Sequence, residues 1–385
     1  MRLPCLLLAL LACGSVAGAQ PVTYGDGGLR LSTPDGRTDA TVGFRNQVRF
    51  TTPFAIVPAT PEQVTTVRTD DFRLFRSRLR VNGQLFSPAL RYQFQADFVE
   101  ERVRDLSVTW QVRSWLRARA GRWKAEMNRE RMTSSSAQQL VDRSILDRWF
   151  TLGRQQGVQV SGRLGAKRPW GGTWYASALR GVDARGGAAL PVWLARYEWP
   201  YAGREVDLEQ GDVGRSPDLR VAIGGTAART ESAYAFYAGS GVGVSLPVLP
   251  PGPGDRFRTR QYALDGVVRW RGLSLQGELH RKVVTRTVSG DTRVLVGGYG
   301  QGGVMASTIW ARLPRPLEFA TRVAIVDPDA ALDADHQEER LMGANWFLRG
   351  HRVKISADVG RLRFTTPTGS RDTALRTRVQ WEMTF

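Results

Sequence analysis

The sequence predicts an all-β fold, a transmembrane antiparallel β-barrel of about sixteen strands, and three observations lead there. Apolar and polar residues alternate with period two in segment after segment from Thr41 to Phe385. Beyond residue 19 no apolar run approaches the ~20 residues a helix needs to cross hydrocarbon. Strands in lipid must then close on themselves, because every backbone N–H and C=O needs a partner there. Finally, the formal net charge is +18, and apart from Lys124, Lys167, Lys282 and Lys354 every basic residue is Arg. Guanidinium groups recur on the polar face of the strands, so that face must meet water.

The first nineteen residues read as a leader. Arg2 precedes the apolar run Leu3 to Ala12, and Ala17-Gly18-Ala19 forms a small-x-small cleavage pattern. Leu10-Leu11-Ala12-Cys13 also resembles a lipoprotein processing site, so acylation of Cys13 is the alternative. Both cysteines, Cys5 and Cys13, lie inside this leader. The expected mature chain therefore has no disulfide framework and no thiolate site. Residues 20–40 are rich in Gly, Asp and Thr without periodicity and are expected to form an exposed lead-in to a barrel over 41–385.

Leu90, Tyr92, Phe94, Ala96 and Phe98 fall on one face of a strand, with Arg91, Gln93, Gln95 and Asp97 on the other. Val103 to Val112 repeats the pattern, setting Leu106, Val108, Trp110 and Val112 against Asp105, Ser107, Thr109 and Gln111. Further strands are expected over 41–50, 72–85, 115–123, 157–164, 173–181, 193–199, 219–228, 233–240 and 261–270. The last are expected over 273–282, 298–307, 317–326, 337–347, 351–361 and 374–385. An even number is required of a single-chain bacterial barrel, so one segment of this odd set is surplus. Ser87-Pro88, Arg113-Ser114, Arg271-Gly272 and Arg349-Gly350 read as tight turns, and 201–218, 246–256 and 327–335 as long outer loops.

A soluble sandwich also alternates, but its polar face would have to carry Arg, Gln and Asp into solvent on every strand, whereas a lumen takes them and lipid takes the apolar face. The final strand sets Leu375, Val379, Trp381, Met383 and Phe385 against Arg376, Arg378, Gln380, Glu382 and Thr384. It resembles the C-terminal strand of outer-membrane proteins, whose final Phe is read by the barrel-assembly machinery. Trp110, Trp123, Trp174, Trp199 and Trp270 near strand ends suit interfacial aromatic girdles.

The strand most informative about chemistry runs from Phe72 to Gly83. From Phe75 onward, Phe75, Ser77, Leu79 and Val81 face one way, and Arg76, Arg78, Arg80 and Asn82 the other. The three guanidinium groups line one wall at about 6.6 Å spacing. Facing lipid at the midplane each would cost about 2–4 kcal/mol, so a lumenal placement is expected. Arg117 and Arg119 add two more by the same alternation. A row of planar forks suits an oxyanion that moves between several moderate sites. The plainer alternative is that these groups pair with loop carboxylates and only shape the field.

Between Lys124 and Leu152 the strand period disappears, and the segment is polar, basic and partly compatible with helix. Such an insertion is either an outer loop or a constriction folded into the lumen. Gly121-Arg122-Trp123-Lys124, Arg129-Glu130-Arg131, Thr133-Ser134-Ser135 and Asp142-Arg143-Ser144 resemble the phosphate-selective porin O and P family. Segments 72–98, 103–121 and 152–159 resemble it in order, and Asn345 to Lys354 resembles its penultimate hairpin. The resemblance implies a sixteen-stranded trimeric outer-membrane barrel with an inward-folded loop and a basic eyelet that passes phosphate or polyphosphate. It makes Lys124, Arg129, Arg131 and Arg143 eyelet candidates, with Arg76, Arg78 and Arg80 on the facing wall. The chain departs from the family in having few lysines, and Arg does not supply the same compact ammonium.

Other classes fit less well. His280, His336 and His351 have no metal-ligand spacing, and Thr133 to Ser136 has no nearby His for a nucleophile triad. No cofactor, metal or catalytic residue is expected. Nucleic-acid binding would explain the charge but neither the leader nor the strands. A general anion-preferring barrel, a plugged structural barrel and, as a weaker fit, a barrel enzyme that assembles a triad from distant residues are the alternatives to a phosphate channel.

Overall fold

The computed structural model describes residues 22–25, 27–54, 69–165, 168–180, 191–233, 236–237, 243–244, 252, 254–332, 335–365 and 371–385. The expected leader, with both cysteines, lies outside them. The strands in chain order are β1 Val22–Gly25, β2 Gly28–Ser32, β3 Asp39–Thr52, β4 Asp71–Leu85, β5 Ser87–Asp97, β6 Arg102–Arg113 and β7 Leu116–Lys124. They continue with β8 Arg154–Leu164, β9 Gly172–Leu179, β10 Val192–Pro200, β11 Arg220–Ser232, β12 Phe236–Tyr237, β13 Gly243–Val244 and β14 Phe257–Trp270. The series ends with β15 Leu273–Arg286, β16 Thr292–Met305, β17 Leu317–Asp327, β18 Gln337–Arg349, β19 Val353–Thr365 and β20 Arg371–Thr384. Three short helices, α1 Arg129–Met132, α2 Leu146–Phe150 and α3 Ala306–Ile309, complete the elements used below.

The sixteen strands β3 to β11 and β14 to β20 pair antiparallel with their neighbours, and β20 returns to β3 through Thr377↔Thr52 to Thr384↔Arg45. This closure removes the sheet edge that lipid cannot satisfy. The surplus expected strand is 233–240: its described part, β12, pairs only with β13, in a small sheet of its own.

The lead-in is more ordered than its composition suggests. β1 and β2 form a hairpin, and β2 pairs with β3 from Leu29↔Val42 to Ser32↔Asp39, just beyond the stretch that β20 occupies. The C-terminal residue closes the seam between them. Phe44 N–H donates to the Phe385 carbonyl at 2.5 Å, Phe385 N–H donates back at 2.9 Å, and the two rings lie 5.7 Å apart.

Val22, Phe385 and the tight turns at 86, 114–115, 271–272 and 350–352 share one end, called here the turn end. By the same strand parity the connection 201–219 also lies there, so its assignment as an outer loop was wrong. Length and Gly/Pro content mark a loop but carry no side, which only the count of strands supplies. At the opposite, loop end lies 125–153, with two short connections at 98–101 and 287–291 among the described residues; most of the expected loop 246–256 lies outside them.

Exposed Leu264, Leu275, Leu279, Val323, Ile325, Met342, Ile355, Val359, Leu375 and Val379 coat the outside of the described barrel. The polar alternates point inward, and buried Gln47, Arg49, Asp265, Gln276, Glu278, Arg322, Asn345, Asp358 and Arg378 line the lumen. Two expectations fail locally. Phe75 is not on the lipid face: the register slips between Gln47↔Arg76 and Val48↔Leu74, which leaves it in a bulge, and the Arg49 guanidinium sits 3.5 Å above its ring. Trp123 is no girdle residue either, since it is buried inside, donates its indole N–H to Glu126 at 3.1 Å and lies under Arg119.

Gly121 shows how tightly the wall is built before the inward loop. Its φ is +124°, and a Cβ there would stand 2.2 Å from the Leu106 carbonyl oxygen. Gly121→Val should therefore destabilise the barrel by at least about 2 kcal/mol. A lowered urea midpoint, read from the heat-dependent gel mobility of the folded barrel, is the expected result.

Candidate functional site: a basic lumen divided by two inward segments

The connection 125–153 turns into the barrel instead of outward. Apolar contacts hold its shoulders: Ile145, Leu146, Trp149 and Phe150 pack on Phe257, Val284, Leu295, Val326, Leu362 and Phe364, all on the inner wall near the loop end. Ala125, Met127 and Leu152 pack on Trp123, Leu179, Val192, Leu194, Ala228 and Ala263. Alternation alone leaves open where a lumenal face turns apolar, and here it does so to seat this loop.

The tip crosses to the far wall on charge-assisted hydrogen bonds. Asp142 takes Arg49 at 2.7 Å and Arg378 at 3.2 Å, with Arg76 at 3.8 Å. Burial alone would raise the Asp142 carboxyl, but Arg49, Arg378 and Arg76 outweigh it and hold it below the usual carboxylate range. Arg45 donates to Ser134 and Ser135 at 3.2 and 3.1 Å, Lys354 to the Gln138 carbonyl at 2.5 Å, and Asn345 to the Gln139 carbonyl at 2.7 Å. The Val141 amide donates to Asp358 at 2.9 Å.

A second segment enters from the turn end, within 201–219. Gln210 is its tip: its amide donates to the Ala137 carbonyl at 2.7 Å, its side-chain oxygen accepts from the Gln139 amide at 3.0 Å, and its own carbonyl meets His351 at 2.8 Å. Arg269 binds Asp207 at 2.7 Å, and Arg129 donates to the carbonyls of Val206 and Asp207. The two inward segments thus meet in the half of the lumen bounded by β14 to β19. Opposite them, against β2 to β7, lies a cavity of about 680 Å³.

That cavity collects part of the expected site. Arg80, Arg117 and Arg119 line it, together with Arg30, Arg91, Asn82, Gln84, Gln93, Thr109 and Gln111. Arg30 is neutralised by Asp39 at 2.6 Å, and Arg119 lies 3.5 Å from Glu126 while donating to Ser107 and Gln93. For Arg80, Arg91 and Arg117 no carboxylate lies within ion-pair distance among the described residues. Arg76 and Arg78 continue the same wall toward the loop. Arg76 donates to Gln47 at 2.7 Å, and Arg78 is clamped by Asp97 at 2.6 Å and by Ser135 at 3.3 Å. The row therefore grades from paired groups beside the loop to unpaired ones in the cavity.

The loop cations expected at the eyelet are used to fold the loop. Lys124 donates to the carbonyls of Arg131, Met132 and Thr133 at 3.0–3.2 Å, closing the C-terminus of α1. Arg129 is buried against the second segment and lies 3.5 Å from Glu198. Arg131 pairs with Asp147 at 3.2 Å, and Arg143 donates to the carbonyls of Glu130 and Thr133. Residues missed from sequence are Arg45, Arg49, Arg322 and Arg378 around the loop tip, and Arg30 and Arg91 in the cavity. Each sits at an alternate position of an expected strand or in the lead-in, so a signal existed for most of them, but nothing local sets their height along the barrel.

Residues 59–191 match the family model of phosphate-selective porin O and P. Over that stretch, about a third of the chain, the match agrees with the resemblance read from the sequence. No curated protein sequence matches the chain. Among solved structures, the outer membrane channel DcaP of Acinetobacter baumannii superposes with a TM-score of 0.58 at 11% identity, over 92% of this chain and 99% of that one. The anion-selective porin from Comamonas acidovorans gives 0.57 at 11% identity, over 90% of this chain and 100% of the other. The trimer form of OmpT from Vibrio cholerae gives 0.54 at 12%, over 90% and 99%. At these identities the likeness is one of fold, and the fold is that of outer-membrane porins.

Asp142→Asn leaves Arg49 and Arg76 facing a neutral amide, with Arg378 still held by Asp358, and should loosen the loop by about 3 kcal/mol; faster proteolysis within 125–153 of the otherwise folded barrel is the readout. A second test uses Glu130, which burial pushes up to about 7 against the pull of Arg322 and with the push of Glu278. A raised carboxyl holds the loop best below its ordinary pKa and loses that contribution as pH rises through about 7. Loop protection should thus fall between pH 5 and 8 in the wild type, and Glu130→Gln should flatten that slope.

Proposed function

We propose that this protein is an outer-membrane diffusion channel selective for small anions, with phosphate or polyphosphate the preferred class. The observation that carries the reading is the lumenal row Arg76, Arg78, Arg80, Arg117 and Arg119, in which Arg80 and Arg117 line a cavity with no carboxylate within ion-pair distance among the described residues. An anion entering that cavity meets a net positive field in a low-dielectric cylinder, which raises its local concentration and excludes cations. Fixed arginine forks replace part of its hydration shell, and the graded pairing along the wall keeps each site shallow enough to leave.

The family match and the porin fold support a channel, and the name of the Comamonas relative supports anion preference. The Vibrio relative's trimer form supports a homotrimer for this chain as well. Export by residues 1–19 and capture of the terminal Phe385 by the barrel-assembly machinery belong to the same reading. Lys124, Arg129, Arg131 and Arg143 keep a positioning role, since they hold the loop that narrows the lumen.

A second reading, a plugged structural barrel, has one observation in its favour: the segment tipped by Gln210 meets the inward loop across the lumen. Planar-bilayer recording separates the two. The channel gives discrete steps, a reversal potential in a KCl gradient on the anion side, and a chloride current that inorganic phosphate blocks; a plugged barrel gives no steps. Arg80→Gln combined with Arg117→Gln should reduce the anion-to-cation permeability ratio several-fold, roughly the loss of two wall charges from the focusing field. Unchanged reversal potentials and unchanged phosphate block in that variant would remove the row from the mechanism.

A further inference from the structure

The outer wall carries a second basic cluster that the channel does not use. Arg229 on β11, Arg260 on β14 and Arg281 on β15 are exposed on the lipid side of the barrel. Arg229 stands directly opposite Arg260 in the antiparallel register, and Tyr262, two residues on, stands opposite Arg281. Like charges facing each other across a ladder are destabilising by themselves. No ion pair relieves them among the described residues, because nearby Glu231 is engaged by Arg256 and Arg258. On β18 and β19 outward Arg340 likewise faces Arg361, but there a carboxylate is at hand, and Arg340 and Arg363 share Glu338.

Height makes the cluster informative. Below it on the same strands the outward residues turn apolar, with exposed Leu264 on β14 and exposed Leu279 and Leu275 on β15, down to Trp270 and Leu273 at the turn end. The arginines therefore mark the upper edge of the hydrocarbon band, where a charged side chain costs little and meets headgroups.

Running away from them is a groove of about 1020 Å³ on the outer wall, with Arg229 and Arg260 among its lining. The strand registers explain its shape. One cross-strand row reads Val108, Ala120, Val158, Ala178, Trp193, Arg229 and Arg260; the next reads Trp110, Ala118, Val160, Ala176, Ala195, Ala227 and Tyr262. Alanine at six of these positions leaves a shallow floor, bounded by Val108 and Trp110 on one side and by Trp193 and Tyr262 on the other.

We propose that this groove and its arginine cluster bind an anionic membrane lipid of the leaflet at the loop end, its acyl chain along the alanine floor and its phosphate between Arg229, Arg260 and Arg281. Charge complementarity selects this occupant: an apolar chain alone leaves the facing arginines uncompensated, and a free anion leaves the floor empty.

Native mass spectrometry of the whole protein, released from detergent after incubation with defined lipids, tests the proposal. Diphosphoryl lipid A and phosphatidylcholine are the lipid probes, and inorganic phosphate is the free-anion probe. The wild type should retain lipid A at least about tenfold better than phosphatidylcholine, the scale of charge-assisted arginine–phosphate contacts. Two variants should each lower that retention: the triple change Arg229→Gln, Arg260→Gln and Arg281→Gln, and Ala195→Trp, which fills the floor while leaving the charges. Heat-dependent gel mobility confirms that both fold, and unchanged anion selectivity in bilayers separates this site from the lumenal row. Equal lipid A retention by the wild type and both variants overturns the proposal. So does displacement of lipid A by millimolar inorganic phosphate, which makes the cluster a free-anion site, and so does a changed subunit count in Ala195→Trp with lipid retention intact, which makes the groove a contact between copies.

Discussion

A guanidinium inside a membrane must meet water or a carboxylate, and in this barrel one loop carboxylate decides much of the arrangement. Asp142 gathers Arg49, Arg378 and Arg76 from β3, β20 and β4. Those strands flank the closure of the barrel, so the ion cluster ties the inward loop to the seam where the first and last strands join. Buried ion pairs of this kind are poor sources of net stability but good sources of specificity, because the unpaired alternative is so costly. The loop has one place to lie.

From that placement the rest of the lumen follows. With its tip on β3, β4 and β20 and its helix α2 against the inner wall, the loop leaves one side of the barrel for the second inward segment and the other for the cavity. Arg76 and Arg78 are drawn into the loop's hydrogen bonds, while Arg80 and Arg117 are left to the cavity. A uniform row in sequence thereby becomes a graded one in space, which is what passage of an ion requires of a series of sites.

The outer wall obeys the complementary rule. Most outward positions are apolar because lipid offers charges nothing, and outward arginines collect where the band ends. Where Glu338 is at hand they pair; beside the alanine groove they do not. Partition of charge between the two faces of each strand, and between paired and unpaired positions on each face, is the organising feature of the molecule.

The strand period by itself determined the barrel, since side chains alternate strictly and one face of each segment is unfit for lipid. Leu90 to Phe98, Val103 to Val112 and the C-terminal strand were legible in this way, and Arg76, Arg78, Arg80, Arg117 and Arg119 fall on the inward-facing alternates of their strands. Only the tertiary structure decided what those groups meet. Lys124, Arg129, Arg131 and Arg143 close the loop on itself and on the second segment, Phe75 turns inward at a bulge, and 201–219 enters from the turn end. The physical reason is common to all of these. Periodicity reports which face a side chain takes, whereas the pairing of a charge depends on the height of its strand and on a carboxylate as many as 236 residues away, as for Arg378 and Asp142.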